Sequence, residues 1–530
     1  MSARLPVLSG PAGLAHPTVL DRRARDLLAQ TLAVVVPAAL ALAITVALPG
    51  ANVLLVVAAI VAILAVLALM KSTRLALTTT VVGVYLLILD GPVKLGIGAR
   101  EATAAAPDVL VGAVCLGALL RMIVRRERLR MPPLSAWVLA FVGIVLIEAF
   151  NPKTVGVVKV LLGFRQQLQW VPFFFLGYAL LRSKLRLRML FLIVGVCAVA
   201  NGIVSTYQTK LSPGQLASWG PGYRQVYQPT TVGASAGGAR VYFSGEGEAR
   251  ARPVGLGSDD GFSGGVGMLG LPFGLALLAT WRSRRRWVAA VIALGSLAAI
   301  ITGLGRLQVV GALLAVAAFV AFAALGGQSR RALAALATVV LLAIPFGAAY
   351  LTIIRPGTFK RYESLETSSP EAIATHKQGA YSLIPHELAT LPFGVGLGTV
   401  GAVGGFGGKV TDLLEGHTVS AETQYNLIAD ELGAPGLLLW VALSFFIVAV
   451  VARGLRSVRD PDLAIMLAAA LAPFAAMIGT GLSGPFETSA VLGPYFWLAI
   501  GITAYWFVER RRVPLPGFQR AGAEPALVAA

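Results

Sequence analysis

FSGGVGMLGLPFGLALLATWRSRRRWVAAVIALGSLAAIITGLGRLQVVGALLAVAAFVAFAAL, residues 262–325, contains three apolar runs joined by two connections of opposite character. The first connection, Arg282–Arg286, is short and basic; the second, ITGLGR, is glycine-rich and ends at Arg306. Runs of about 17–25 apolar residues are long enough to cross the roughly 30 Å hydrocarbon layer as helices. Applied outward, the same rule predicts spans at 27–48, 51–70, 75–90, 107–124, 134–150, 166–182, 189–208, 262–281, 287–304, 307–326, 332–351, 434–452, 462–482 and 489–508. The predicted fold is therefore an all-α polytopic membrane protein with about fourteen (12–14) transmembrane helices.

The remaining composition agrees. Of 530 residues, 57% are hydrophobic and 13% charged, and the mean hydropathy is +0.78, values that exclude a soluble globular domain. Cys115 and Cys197 both lie inside apolar runs, which argues against a disulfide framework or a zinc site. The net charge of +19 is concentrated in alternate connections: Lys71/Arg74, Arg121–Arg130, Arg182–Arg188, Arg282–Arg286, Arg330/Arg331, Arg453–Arg459 and Arg510–Arg512. With Arg22, Arg23 and Arg25 these fall on one side, a positive-inside pattern that predicts both termini in the cytoplasm and no role in nucleic-acid binding. The first span lacks a cleavage site and is followed at once by a second, so no removable signal peptide is expected.

The chain divides into a cytoplasmic tail (1–26), N-terminal spans (27–208), an extracytoplasmic loop (209–261), central spans (262–351), a large extracytoplasmic loop (352–433), C-terminal spans (434–508) and a cytoplasmic tail (509–530). Spans three and four are expected to be joined by a short external loop, Gly91–Ala106, and Pro172 is expected to kink a helix just inside the membrane. Residues 209–261 show little helical period, and short interfacial helices are expected in the two large loops.

The polar residues of interest fall on the side away from the basic connections. Arg165, Arg252 and Arg306 each stand at an outer boundary, against the positive-inside bias, with Arg250, Arg361 and His376 nearby in their loops. Guanidinium forks pair bidentately with phosphate oxygens and keep their charge, so a set of them suits a pyrophosphate leaving group. The stretch Gly394–Leu439 begins as a glycine-rich turn, passes His417, Glu422, Tyr425 and Asn426, and ends in ELGAPGLLL at the start of a span. If ETQYNLIADEL is helical, Glu422 and Asn426 share one face, and Glu422 is placed as a general base toward a sugar hydroxyl. GLGTVG, Gly396–Gly401, matches a dinucleotide fingerprint but follows no strand, so it is read as a sharp turn. Asp259–Asp260 is a turn or helix N-cap in preference to a metal pair.

The ordered set GVGLGTVG and ETQYNLIADELGAPGLLL, preceded by FRQQLQWVPFFFLGYALL, ARPVGLGSDDGFSG and ITGLGRLQVVGALL, resembles the O-antigen ligase and O-antigen polymerase family over residues 150–450. The resemblance implies a GT-C-like, metal-independent inverting glycosyltransferase of the bacterial cytoplasmic membrane, with its active site on the extracytoplasmic side. Its donor would be an undecaprenyl-pyrophosphate-linked glycan held by Arg165 and Arg252 with help from Arg306, and no cofactor is implied. Its acceptor would be a glycan or lipid, with membrane lipids, a flippase and a chain-length regulator as further partners. Ligases carry His where Glu422 stands, which turns the expectation toward a repeat-unit polymerase with a carboxylate base. Ligase-type transfer to a lipid or protein is the alternative.

Two other classes are weaker. A transporter would place ionisable residues at mid-span, whereas Asp90, Asp108, Glu148 and Glu487 fall near outer ends. A metal-dependent lipid-linked transferase would carry an acidic pair in its first external loop, and Pro49–Asn52 has no acid.

Overall fold

The computed structural model describes residues 75–97, 100–124, 131–154, 156–227, 241–243, 249–259, 261–282, 284–353, 362, 381–382, 384–401 and 422–510. The expected spans at 27–48 and 51–70, both tails apart from Glu509 and Arg510, and Asp260, Arg361, His376 and His417 lie outside the described residues.

The described chain is mostly helical: α1 (Leu75–Val84), α2 (Asp90–Ile97), α3 (Arg100–Val124), α4 (Ser135–Glu148), α5 (Gly156–Leu168), α6 (Pro172–Leu180), α7 (Lys184–Gln208), α8 (Pro213–Ala217), α9 (Pro221–Tyr227), α10 (Phe262–Thr280), α11 (Arg285–Thr302), α12 (Arg306–Leu325), α13 (Ser329–Ile353), α14 (Gln424–Leu455), α15 (Pro461–Thr480) and α16 (Leu492–Thr503). One antiparallel ribbon, β1 (Val241–Phe243) with β2 (Ala249–Ala251), pairs Tyr242 with Arg250. Among the described residues eight helical stretches are long and apolar enough to cross a membrane: Thr78–Gly96, α7, α10, α11, α12, Ser329–Tyr350, α14 and α15.

Several boundaries differ from expectation for identifiable reasons. A π-helical turn, Tyr85–Leu89, joins α1 to α2, so the helix runs to Ile97 and resumes at Arg100 where a loop was expected. The run 166–182 is two helices: Pro172 does not kink a helix but opens α6, since a missing N–H costs nothing at a first turn. Residues 209–227 show little helical period in sequence but form the short helices α8 and α9, of the kind expected in this loop; Ser212 and Gln215 make a reciprocal capping box at the start of α8.

The core is built around α10 and α15, which are buried on nearly every side. Small residues allow this. A Cβ on Gly267 would come within 2.6 Å of the Ser296 carbonyl oxygen, and one on Gly274 within 2.8 Å of the Ala293 nitrogen, so α10 and α11 meet backbone to backbone. Outer helices keep one apolar face free: Leu341 and Ile344 on α13 are 68% and 67% exposed, as suits contact with lipid.

Antiparallel packing gives the bundle two ends. At one, the C-terminus of α7 meets those of α11 and α13 through Ser205–Thr302 and Thr206–Tyr350, and meets the loop before α10 through Gln208–Gly255. The N-terminus of α14 joins the same end where the Gln424 amide donates to the Gly481 carbonyl, just past α15. At the other end Lys184 pairs with Asp460, Arg331 with Asp462, and the Trp506 indole with the Leu181 carbonyl. The segments bearing Arg165, Arg252, Arg306 and Glu422 share the first, polar end; the described basic connections share the second.

Candidate functional site

At the polar end the glycine-rich turn is seated between α5 and a break in α14. Gly433 has φ 61° and ψ −160°, splitting α14 into a polar first part and an apolar second part. A Cβ at Gly433 would lie 2.3 Å from the Pro392 carbonyl oxygen. The polypeptide crosses there with no room for a side chain. Gly398 has φ 70°, and a Cβ on it would lie 2.3 Å from the Lys159 carbonyl oxygen. The sharp-turn reading of Gly396–Gly401 therefore holds, and the turn's ligand is protein.

What holds turn and helix together is Glu431, fully buried on α14. Its two oxygens accept from the Gln166 amide at 3.0 Å and the Gln167 amide at 2.8 Å, while Gln166 also donates to the Val400 carbonyl at 3.2 Å. Lys159, buried two helical turns earlier on α5, has its ammonium pushed below the usual lysine range by burial, with the Glu431 charge opposing that shift. Asp430 and Glu387, the latter in the short helical stretch 384–390, are both buried.

Glu422 is not on the helix. Thr423 is the N-cap, its hydroxyl accepting from the Asn426 amide at 3.0 Å, so Glu422 precedes the cap, half-buried, and does not share a helical face with Asn426. The reason is local: threonine with an extended backbone satisfies an orphan amide of the first turn and sets the start two residues late. Asn426 is buried with its side chain against the cap (Thr423 Oγ1 to Oδ1, 2.5 Å), and the Tyr425 hydroxyl donates to the Ile478 carbonyl at 3.0 Å. Both are anchors of the helix.

Gln424, next to the cap, ties this segment to residues 481–487. Its amide donates to Glu487 at 2.8 Å, and its oxygen accepts from the Phe486 and Glu487 backbones at 3.0 Å each. Burial raises the Glu487 carboxyl well above the usual range, with the Gln424 hydrogen bond opposing. The Tyr381 hydroxyl donates to Leu482 of the same loop. Leu307, following Arg306, reaches to within 2.9 Å of a Cβ position on Gly484. Glu422 and the exposed Arg306, first residue of α12, thus flank one loop.

The other arginines stand on neighbouring elements. Arg165 of α5 makes an ion pair with Asp108 of α3 at 2.7 Å, both partly exposed. Arg250 lies on β2, and Arg252 follows it with its carbonyl accepting from the Tyr227 hydroxyl at 2.7 Å. Six residues further on, Ser258 donates to Asp90 at 2.8 Å, and Asp90 pairs with Lys94 at 2.9 Å. The Gly91 amide donates to the Leu256 carbonyl at 3.2 Å. Arg165 and the Arg252 loop are therefore both bonded to the α2–α3 region. Asp259 is exposed, and no group of three or more potential metal ligands occurs among the described residues.

Glu431, Gln166, Gln167 and Gln424 were not singled out by sequence reasoning as a network. One signal was present: Gln424 and Glu431 are seven apart, two turns along a helix, and so lie on one face.

No protein-family model matches the sequence, and no curated protein matches it either.

Proposed function

We propose that this protein transfers a glycan from a polyprenyl-pyrophosphate carrier to an acceptor hydroxyl at the polar end of the bundle. The observation that carries the reading is that Arg165, Arg252, Arg306 and Glu422, far apart in sequence, lie on elements at the end opposite the basic connections, Arg165 and the Arg252 loop beside the α2–α3 region and Arg306 and Glu422 beside the 481–487 loop. In the proposed reaction the acceptor oxygen attacks the anomeric carbon with inversion, and the carbon–oxygen bond to pyrophosphate breaks. The hydroxyl proton passes to the Glu422 carboxylate. Arg165, Arg252 and Arg306 meet the charge of the departing pyrophosphate. Arg165 would do so by exchanging Asp108 for phosphate oxygens, a fork already oriented by its ion pair.

The finer assignment belongs to the same reading. It comprises a GT-C-like enzyme of about fourteen spans with both termini cytoplasmic, located in the bacterial cytoplasmic membrane. The donor is an undecaprenyl-pyrophosphate glycan and the product a lengthened repeat-unit polymer; ligation to a lipid or protein acceptor is the alternative.

The test is the lipid-linked glycan profile of cells lacking the protein, complemented with wild type or Glu422→Gln. Single repeat units accumulating in the null and in Glu422→Gln, with long chains restored by wild type, is the expected result. Long chains left on the carrier would instead mean ligation. A profile unchanged by deletion would overturn the assignment, and full activity of Glu422→Gln would remove the base. In membranes the reaction is expected to survive EDTA; loss rescued by a divalent cation would overturn the arginine-only account of the leaving group.

A further inference from the structure

The end opposite the candidate site has an open cavity of about 1040 Å³, where five arginines gather from four elements. Arg188 comes from α7, Arg282 from just past α10, Arg285 and Arg286 from α11, and Arg331 from α13; among the described residues Asp462 of α15 is the one acid on the lining. Five guanidiniums against one carboxylate leave four positive charges in excess. Asp462 is already engaged by Arg331 at 3.0 Å, and the Arg286 Nε is committed to the Trp281 carbonyl at 2.9 Å. The Arg188 Nε is shielded from solvent yet has no hydrogen-bond partner among the described residues. A buried donor of that kind calls for an acceptor.

The positive-inside bias accounts for arginines in these connections, but not for five of them lining one concavity. The shape narrows the choice of ligand. One wall is α13, along which the lining descends from Arg331 to Leu342, eleven residues or about 16 Å of helix. The other wall is α11, where Trp287 is 68% exposed and Val291 54%. The space is thus basic at the membrane boundary and becomes apolar with depth, flanked by lipid-facing side chains.

We propose that this cavity binds an anionic phospholipid from the leaflet on the arginine-rich side. Its phosphates lie among Arg188, Arg282 and Arg285, and its acyl chains run between α11 and α13. Guanidinium forks recognise phosphate oxygens bidentately, and basic recesses between transmembrane helices suit such headgroups. With four charges in excess, a headgroup carrying two phosphates is favoured over one carrying a single phosphate. The site is independent of the glycan-transfer reading.

The test uses the full chain, purified, delipidated and exposed to phosphatidylcholine vesicles containing diphosphatidylglycerol or phosphatidylglycerol, with retained lipid read by native mass spectrometry. Wild type is expected to retain diphosphatidylglycerol preferentially. The Arg188→Gln/Arg282→Gln/Arg285→Gln variant should bind it about a hundredfold more weakly, roughly fivefold per arginine. Arg188→Gln alone, the milder change should the triple variant not fold, should show the single step. Arg453→Gln/Arg456→Gln, outside the lining, should retain lipid as wild type does. Equal retention by the cavity variants and wild type would overturn the site. Binding of inorganic pyrophosphate without any retained lipid would overturn the lipid as ligand and assign the cavity to a soluble anion.

Discussion

At the polar end Glu431 is fully buried beneath two glutamine amides, whereas at the arginine-rich end Asp462 and Arg331 meet at 3.0 Å with more than a third of each side chain exposed. In the first arrangement each of these buried carboxyls draws a donor from an element remote in the chain: α5 for Glu431, α14 for Glu487, the loop before α10 for Asp90. The second needs only short connections, because water and neighbouring helix ends satisfy the charges. Buried polar groups are costly when a partner is removed, while exposed ion pairs contribute little. The two ends should therefore respond to mutation on different scales.

The largest effect is expected at the crossing of α14 with Pro392. Gly433→Val adds a clash with the Pro392 carbonyl and forces a β-branched residue to a positive φ, a strain of about 1–3 kcal/mol before the clash is counted. Loss of monodisperse protein on size exclusion in detergent is the expected outcome; a well-behaved variant would mean that the two parts of α14 need not cross the turn so closely. Next comes Glu431→Ala, which strands the Gln167 amide at about 1–3 kcal/mol and takes from Gln166 one of its two acceptors. Glu431→Gln, which keeps one acceptor, should lower the thermal midpoint less. Equal midpoints for the two would break the claim that the carboxylate organises this end.

Glu487 sharpens the comparison through pH. Because burial raises its folded-state pKa, stability is fully present below the unfolded value of about 4.3 and declines as pH rises toward the folded value. Glu487→Gln removes that decline, so its midpoint relative to wild type should improve as pH rises above the unfolded value. A constant difference would contradict the burial argument. Asp460 behaves oppositely. Partial burial alone would raise it, but Lys184 and the two first-turn amides of α15 outweigh that and hold it below the usual range. Its contribution is present above the unfolded value and is lost as pH falls through the folded one. The smallest effect is expected for Lys184→Ala, under about 1 kcal/mol for an exposed pair. A loss as large as that of Glu431→Ala would erase the distinction between the ends.

Much of the fold was legible as apolar runs, since a helix that must satisfy its own backbone in lipid has to be long and continuous. Breaks inside runs were less legible. Pro172 marks the first turn of a new helix, and only the turn at residues 169–171 shows that α5 stops before it. Glu422 was misplaced by two residues because Thr423 and Glu422 both suit a helix start, and the choice depends on which amide the threonine hydroxyl meets. Glu431, the first residue of ELG, gives no local sign of burial; its burial follows from Gln166 and Gln167, 264 or more residues away.

By itself the sequence determined that the chain is a largely helical protein suited to a membrane, and which connections are basic and which polar, because hydrophobic length and charge sign are local properties. Tertiary structure alone decided which polar side chains are buried against one another, where α14 breaks, and that five arginines surround one cavity. Those outcomes depend on contacts between helices remote in the chain, where a methylene too many at Gly433 or a donor missing at Gln167 changes the result.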